Sequence, residues 1–323
     1  MFKQIPLSIL TQALLLAAMV NAAHTATAAA QAAEPQPHNP QAARSQEDSK
    51  VSPPSDAEIK ARTETLLANQ HKDDDVLDQY ERIERHVDRT SGPNPRTTDD
   101  RIYRVVPTGG GTLKILLKDG GAKTDPAAYR EQLELWERIL EMMADPNSSK
   151  AKTAYAKYDK RKRDRAEFAD VAAQAYEPKW AGREIYNGRA CDVFELEHNP
   201  EFHPHSMFQD AFVHIAAKVW VDHEHDQLVH AEGRVLSDIS FGGGILGKLY
   251  KGSFVALDQS EVEPGIWLPT HYQYDFSGRK FLFSFEEHEL IDASHYRRVG
   301  NPPEALTVVH NELASGKTFD EDP

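Results

Sequence analysis

The sequence predicts a mainly β protein of the α+β class, built on an antiparallel sheet. Strand-like stretches with alternating apolar residues fill positions 218–296, and polar or glycine-rich turns separate them. Two long helical patterns interrupt the strands between about residues 126 and 176. The 323 residues are enough for one large β-rich domain or two modest ones.

The N-terminus has the pattern of a secretory signal peptide. A single cation, Lys3, precedes a short apolar run that ends at Val20, and small residues suited to cleavage follow. We therefore expect a cleaved signal peptide over 1–28 and a periplasmic location. The single cysteine, Cys191, is far from the N-terminus, so no lipid anchor is expected. Residues 29–54 are rich in Ala, Gln, Pro and Ser, which predicts a disordered linker.

A single folded domain is predicted over residues 55–300. It begins with a short helix that has Ser55 or Asp56 as its N-cap. The two long helical patterns form a charged helical insertion over 126–176. The acidic segment 301–323 is predicted to be a flexible tail.

Local patterns predict individual elements within this domain. Two apolar stretches around a triple-glycine loop indicate a β-hairpin over 102–119, and Pro126 marks the start of a helix. Residues 79–90 fit either a helix or an exposed strand. The Gly242–Gly247 segment predicts a bend or bulge, and Ser277–Arg279 predicts a turn between two long strands.

Aromatic residues alternate along these two long strands, and apolar residues recur at helical spacing near residue 136. The predicted turn would bring the two aromatic rows side by side. An ordinary packed core fits this pattern, and so does a partly open cavity for acyl chains. The residues expected to line such a cavity are Leu133, Trp136, Leu140, Tyr272, Tyr274, Phe276, Phe281, Phe283 and Phe285.

A cluster of cations on the second helical pattern runs against the formal net charge of −14. One interpretation is a solvated helix in which neighbouring aspartates pair with the cations. The other is a docking site for lipid headgroups or for an acidic face of a protein partner. The basic patch consists of Lys157, Lys160, Arg161, Lys162 and Arg163.

Composition and motifs argue against several kinds of chemistry. The acidic charge disfavours nucleic acid, and the glycine-rich segment fails as a phosphate loop because Leu249 lacks a hydroxyl. The histidine pairs His203/His205 and His223/His225 lie in polar loops without a third ligand at metal-binding spacing. No G-x-S-x-G motif occurs. We therefore expect no catalytic residues, no metal, no cofactor and no stable membrane insertion.

Three sequence blocks, within about Tyr80 to Val299, resemble a known family. They are W-V-D at Trp220–Asp222, G-I-W-L-P at Gly265–Pro269 and G-R at Gly278–Arg279. These blocks are similar to a bacterial periplasmic family that resembles the outer-membrane lipoprotein-sorting proteins, the carriers of the LolA/LolB type. The resemblance implies a strongly curved, unclosed half-barrel of antiparallel strands with helices over its concave face. It also implies an acyl chain as the ligand.

Three hypotheses about function remain open at this point. The first is a non-catalytic periplasmic protein that binds an acyl chain, lipid or lipoprotein in a hydrophobic cavity, in outer-membrane lipid or lipoprotein trafficking. The second is a cell-envelope sensor or interaction module that binds a protein partner and no lipid. The third is a metal-dependent hydrolase that uses the four loop histidines. The apolar strand faces favour the first hypothesis.

Overall fold

The computed structural model describes residues 45–46 and 52–316. The predicted signal peptide over 1–28 lies outside these residues, and so does most of the predicted linker. Within the linker, Ser45–Gln46 form a two-residue strand, β1. No helix in the described part of the chain is long and apolar enough to cross a membrane.

The strands form one antiparallel sheet of 14 strands that does not close, and they make up 43% of the structure. The predicted mainly β, α+β class is therefore confirmed. The hydrogen-bonded order is β1-β6-β7-β8-β9-β12-β13-β14-β2-β3-β4-β5, with β10 paired to β11 and β11 paired to β13. The remaining strands are β2 (Tyr80–Arg89), β3 (Thr97–Pro107), β4 (Thr112–Asp119), β5 (Ala122–Lys123), β6 (Tyr176–Tyr186), β7 (Arg189–His198), β8 (Ile215–Asp222), β9 (Leu228–Val235), β10 (Ile239–Phe241), β11 (Gly247–Leu249), β12 (Phe254–Glu263), β13 (Ile266–Lys280) and β14 (Phe283–Arg298).

Five α-helices and one short 3-10 helix accompany the strands in the described residues. The side chain of Asp125 accepts hydrogen bonds from the backbone N–H groups of Ala127 and Ala128, so it caps the helix that Pro126 begins. The α-helices are α1 (Asp56–Leu77), α2 (Pro126–Ala144), α3 (Ser149–Ala175), α4 (Met207–Asp210) and α5 (Pro302–Ser315), and the 3-10 helix is Ala211–His214.

The described residues divide into two compact units. Unit 1 consists of 45–46, 52–71 and 165–289, and unit 2 consists of 72–164 and 290–316. The single domain over 55–300 stays a prediction, and each unit is described separately below.

The core of unit 2 is built on one face of α2. Leu133, Trp136 and Leu140 are spaced three and four residues apart, so they fall on one side of the helix and are almost fully buried. They pack against apolar residues of β3 and β4 and against Ala305 and Val309 of α5. The Trp136 indole Nε1 donates a hydrogen bond of 2.8 Å to a backbone carbonyl in β3, which satisfies its one polar group.

The predicted flexible tail over 301–323 is wrong for residues 301–316, which form helix α5 and its cap. Asn301 and Glu304 make a reciprocal capping box at the start of the helix. Ala305 and Val309 lie one turn apart and are buried, so the helix has an apolar face that docks into unit 2. Acidic composition concealed this short helical pattern. Residues 317–323 lie outside the described residues.

A buried arginine ties α5 to the sheet of unit 2. The Arg104 guanidinium donates to Glu81 of β2 at 2.5 Å and to Glu312 of α5 at 2.6 Å. It also donates to the Tyr129 hydroxyl at 3.0 Å and lies over the Trp136 ring. Burial opposes the charge, but the bonds and charges of Glu312 and Glu81 outweigh it and keep the pKa of Arg104 above its ordinary value.

Replacing Glu312 with Ala should destabilise unit 2, because it leaves a buried guanidinium with one carboxylate fewer. We expect a loss of about 2–4 kcal/mol in the free energy of unfolding. The matched control is Asn311→Ala, at the neighbouring exposed position of the same helix. Urea unfolding followed by circular dichroism measures both. Equal midpoints for the two variants would contradict this role of Glu312.

The turn between the last two long strands lies three residues beyond the predicted one. Strand β13 continues through Ser277–Arg279 to Lys280, and the chain reverses at Phe281–Leu282. Gly278 serves close approach instead of a turn, because a Cβ there would lie 2.4 Å from the backbone carbonyl oxygen of Lys248. The predicted turn at Ser277–Arg279 is therefore wrong.

Residues 79–90, for which the sequence left helix and strand open, and the glycine-rich segment are both part of the sheet. Residues 79–90 contain β2, which pairs with β3, and β3 and β4 form the predicted hairpin within 102–119. The glycine-rich segment is neither a bend nor a bulge. It is the loop of a hairpin in which Ile239–Phe241 pairs with Gly247–Leu249. Three consecutive glycines, Gly242–Gly244, take positive φ angles in that loop, which residues with a Cβ adopt at a cost.

Candidate functional site

An apolar face extends across five neighbouring strands of unit 1. Residues directly paired in antiparallel strands point to the same side of the sheet, so a chain of pairs defines a row of side chains. The first row is Tyr272, Leu257, Ala231, Val219 and Phe194, from β13 to β7. The second row is Tyr274, Val255, Gly233, Ala217 and Leu196. We call these ten residues the apolar face.

The side chains in the middle of the apolar face are small, and those on its β13 side are large. Ala231, Gly233 and Ala217 occupy the central strands and have the smallest side chains in the two rows. On β13 the rings of Tyr272 and Tyr274 stack in parallel, with centroids 6.3 Å apart and planes at 14°. The face therefore combines an aromatic wall with a floor of small residues. Such a surface can hold a narrow apolar group and has no polar side chain in either row except the two tyrosine hydroxyls.

At the β7 side of the apolar face, the C-terminal end of α3 packs against the sheet. Phe168, Val171 and Ala175 pack with Phe212 of the 3-10 helix, and Leu196 of the apolar face packs against the same cluster. The Phe168 and Phe212 rings lie 5.0 Å apart. The β7 end of the face is therefore part of a packed core.

Helix α1 is attached to unit 1 by polar contacts. Arg62 donates from Nε to Asp226 and from Nη1 to Asp192, both at 2.5 Å. About two turns further along α1, the side-chain amides of Gln70 and Gln259 form reciprocal hydrogen bonds of 3.0 and 3.2 Å. Asp192 is two residues before Phe194 on β7, so it points to the same side as the apolar face. Helix α1 is thus held at a polar end of that face.

Asp192 is the electrostatic centre of this attachment. Its carboxylate is completely buried and accepts hydrogen bonds from Arg62, Arg183, the Trp180 indole and His223. Burial raises the pKa of Asp192, but the bonds from Arg62 and Arg183 outweigh it and lower the pKa to about 2. The carboxylate therefore stays ionised under ordinary conditions and holds both arginines in place.

His223 and His225 lie beside two different carboxylates. The Nδ1 atom of His223 lies 2.7 Å from Asp192, whereas the Nδ1 atom of His225 lies 2.9 Å from Asp222. His203 is exposed in its loop, as is the neighbouring His205. Across residues 52–316 no group of three or more His, Cys, Asp or Glu side chains is arranged to hold a metal ion.

The single cysteine is placed as a core residue. Cys191 is buried, and burial together with the nearby charge of Asp222 raises the pKa of its thiol to about 12. The thiolate that a nucleophile requires is therefore strongly disfavoured. The apolar face described above, in contrast, is suited to binding apolar groups.

Three of the predicted cavity residues belong to unit 2. Leu133, Trp136 and Leu140 lie in the α2 core described above, where α5 covers them. The predicted insertion therefore uses its apolar stripe to pack against a helix that the sequence did not predict. A role for these three residues in a ligand cavity stays a prediction.

The six predicted strand residues belong to unit 1 and lie in different surroundings. The buried ones are on the apolar face or beside it, since the Phe276 ring contacts Tyr274 at 5.7 Å. Phe285 is half-buried, and the other two are exposed at the β13–β14 turn. In order along the chain, the buried residues are Tyr272, Tyr274 and Phe276, and the exposed residues are Phe281 and Phe283.

The basic patch on α3 is partly used within unit 2. Lys160 pairs with Asp164 one turn away, and Lys162 pairs with Asp75, each at 2.5 Å. Arg161 donates to a backbone carbonyl of the β3–β4 loop at 2.7 Å. Lys157 and Arg163 are exposed. Local pairing therefore accounts for much of the cluster.

Asp192→Asn should make stability less sensitive to acid. Because the folded-state pKa is lowered from 3.8 to about 2, this carboxylate stabilises the fold above about pH 4 and ceases to do so as the pH falls to about 2. We expect the variant to melt at a lower temperature than wild type at neutral pH. Its melting temperature should also fall less steeply between those two pH values.

The control for this experiment is Glu195→Gln, at an exposed carboxylate on the same strand. Thermal melts followed by circular dichroism across the acid range supply the comparison. A wild-type slope in Asp192→Asn would show that this buried carboxylate does not link stability to pH.

The fold and the site define an α+β protein whose unclosed antiparallel sheet presents an apolar face. No family model matches the chain, and no curated protein does. An outer membrane lipoprotein-sorting protein domain from Vibrio parahaemolyticus is similar, with 11% identity over 76% of this chain and 97% of that chain, at a TM-score of 0.30. A DUF1329 family protein from Desulfovibrio piger has 13% identity over 74% of this chain and 92% of its own, at a TM-score of 0.26.

A third similar structure is MucB in complex with the periplasmic part of MucA, with 7% identity over 73% of this chain and 93% of that chain, at a TM-score of 0.20. Comparison of structures therefore also finds the resemblance to outer-membrane lipoprotein-sorting proteins that the sequence predicts. TM-scores of this size carry no argument about function. We base function on the side chains of this chain alone.

Proposed function

We propose that this chain is a non-catalytic periplasmic protein that binds an acyl chain of a lipid or lipoprotein on the apolar face of unit 1. The observation that supports this most directly is the pair of cross-strand rows, with small residues in the middle and stacked tyrosines on one side. The signal-peptide pattern over 1–28 supports the periplasmic location. The proposed role is in outer-membrane lipid or lipoprotein trafficking.

The dimensions of the apolar face suit an extended acyl chain. The four strands from β8 to β13, about 4.8 Å apart, span about 14 Å on the part of the face that α3 does not fill. A methylene group transferred from water to an apolar surface gains about 0.8 kcal/mol, so burial of ten methylenes gains about 8 kcal/mol before any cost of rearrangement. That gain is sufficient for binding even after several kcal/mol are lost to ordering the chain.

A ligand on this face requires one of its covering elements to move, because Tyr272, Leu257 and Val255 are buried. Helix α1 is the element we assign to this movement. Its hydrogen bonds to the strands and loops of unit 1 are made by Arg62, Asn69 and Gln70, and its leucines in this stretch are half-buried. Displacing it would separate Arg62 from the buried Asp192 carboxylate, a cost that the burial of the ligand's methylene groups has to exceed.

Filling the middle of the face should exclude the ligand. Ala217→Phe places a large ring between Gly233 and Leu196, whereas Ala216→Phe places the same ring on the other side of β8, at an exposed position. Native mass spectrometry of protein purified from the periplasm, followed by organic extraction, measures lipid per chain. We expect the wild type and Ala216→Phe to carry lipid and Ala217→Phe to carry about tenfold less.

Two results would contradict the proposal. One is a wild-type protein with no bound lipid, and the other is Ala217→Phe with as much lipid as Ala216→Phe. Circular dichroism melts of both variants must show a folded protein for the comparison to count. Phospholipid and lipopeptide in the extract are distinguished by their masses.

The alternative is an envelope protein without a lipid ligand that binds a protein partner at the basic patch. Exposure of Lys157 and Arg163 favours it, although the other three cations of the patch, Lys160, Arg161 and Lys162, have partners within the chain. It predicts a lipid-free mass and a crosslinked partner that is lost in Lys157→Ala/Arg163→Ala. Unchanged crosslinking in that variant would exclude the patch as the docking site.

A further inference from the structure

Large exposed apolar side chains concentrate at one place in unit 1. The hairpin loop 242–246 and the β13–β14 turn are neighbours, because β11 pairs with β13 and the backbone N–H of Phe281 donates to the carbonyl of Leu246 at 3.2 Å. Arg279 also donates to the carbonyl of Gly244 at 2.9 Å. The four side chains that project from these two loops are Ile245 (76% exposed), Phe281 (52%), Leu282 (86%) and Phe283 (78%). We call these four residues the apolar tip.

The backbone at the apolar tip is not one that these side chains prefer. Phe281 has a φ angle of 55°, in the left-handed region where Gly or Asn is usual and a bulky residue is an outlier. A turn with those residues would be easier to form and more soluble. The chain instead places three consecutive large apolar residues where water surrounds them, which folding alone does not require.

The segments that form the tip are basic although the chain is acidic. No Asp or Glu occurs in residues 239–257 or 276–285, whereas the whole chain has a net charge of −14. These segments contain Lys248, Lys251, Arg279 and Lys280. Asp238 pairs with Lys248 at 3.2 Å and also accepts from the backbone of Lys251, and Glu286 follows the second segment. Glu287 comes next, so the four cations exceed these three acids by one positive charge.

We propose that the apolar tip inserts into the surface of an anionic lipid bilayer, with Lys280 and Lys251 beside the headgroups. An apolar group flanked by cations matches the acyl boundary and the anionic headgroups of such a surface. The tip is too small for a stable protein interface. At about 150 Å² for each side chain it offers roughly 600 Å², below the about 800 Å² per partner that stable complexes bury.

This inference is separate from the proposed function. The apolar tip shares no residue with the apolar face, and membrane contact does not require an acyl ligand. A protein that binds bilayers through the tip without retaining lipid would satisfy this inference and contradict the proposed function. The reverse outcome would do the opposite.

Cosedimentation with vesicles tests the proposal. The probes are vesicles of phosphatidylcholine with one third phosphatidylglycerol, and vesicles of phosphatidylcholine alone. We expect wild type to partition onto the anionic vesicles and to be released by high salt. Leu282→Ser/Phe283→Ser should reduce partitioning by about tenfold or more for each side chain removed if insertion is complete. Lys251→Gln/Lys280→Gln should weaken binding only to the anionic vesicles.

The matched control is Leu135→Ser, which removes an exposed leucine of unit 2 and should bind as wild type does. Absence of wild-type binding to both kinds of vesicle would overturn the proposal, and so would unchanged binding of Leu282→Ser/Phe283→Ser. Sedimentation of the protein without vesicles tests whether a second copy of the chain binds the tip instead. If wild type is a dimer that this double variant converts to monomer, and vesicles are not bound, the tip is a contact between two copies of the chain. Unchanged circular dichroism melts exclude misfolding of the variants.

Discussion

Strand register across β7, β8, β9, β12 and β13 is the constraint on which the binding surface of unit 1 depends. Side chains alternate between the two faces of a strand, so a shift of one residue in any of these pairings would move its apolar residues to the other side. The observed register aligns Tyr272 with Leu257 and continues through Ala231 to Phe194. The β-bulges in β8/β9 and β12/β13 lie beyond this stretch, after Trp220 and after Asp258. The two rows therefore cross a regular part of the sheet and stay continuous.

Buried ion pairs connect a helix to the sheet in each unit. Unit 1 attaches α1 through Arg62 and Asp192, and unit 2 attaches α5 through Arg104 and Glu312. Each charge is desolvated, so such pairs contribute less to stability than their short distances suggest, while loss of one partner is costly. What they provide is position: a guanidinium with two acceptors fixes a helix in one register.

The sequence predicts local elements of this protein well and long-range pairing poorly. Asp125 and Pro126 define a helix start by side-chain chemistry alone, and alternation identifies the long strands. The turn was predicted at Gly278 because glycine is common in turns. Glycine also occurs where two backbones approach closely, which is its role here. Nothing local indicates that Tyr272 and Phe194, 78 positions apart, share a row, since that depends on four successive strand pairings. Asp192 and Arg104, each a charge within an otherwise apolar stretch, are signals from which buried charges could have been predicted.

The long strand β13 joins the two surfaces for which we propose roles. Tyr272, Tyr274 and Phe276 point to one side of it, and Phe281 lies five residues beyond Phe276, a distance of about 17 Å along an extended chain. Tyr274 contacts both its aromatic neighbours on that strand, so the row has no polar interruption before Phe276. An acyl chain that leaves a bilayer held at the apolar tip would therefore meet aromatic rings along the same strand. The four residues between Phe276 and Phe281 are not apolar, so such a chain would first cross a polar stretch, and only along the aromatic row is the cost of withdrawing a lipid into water lowered.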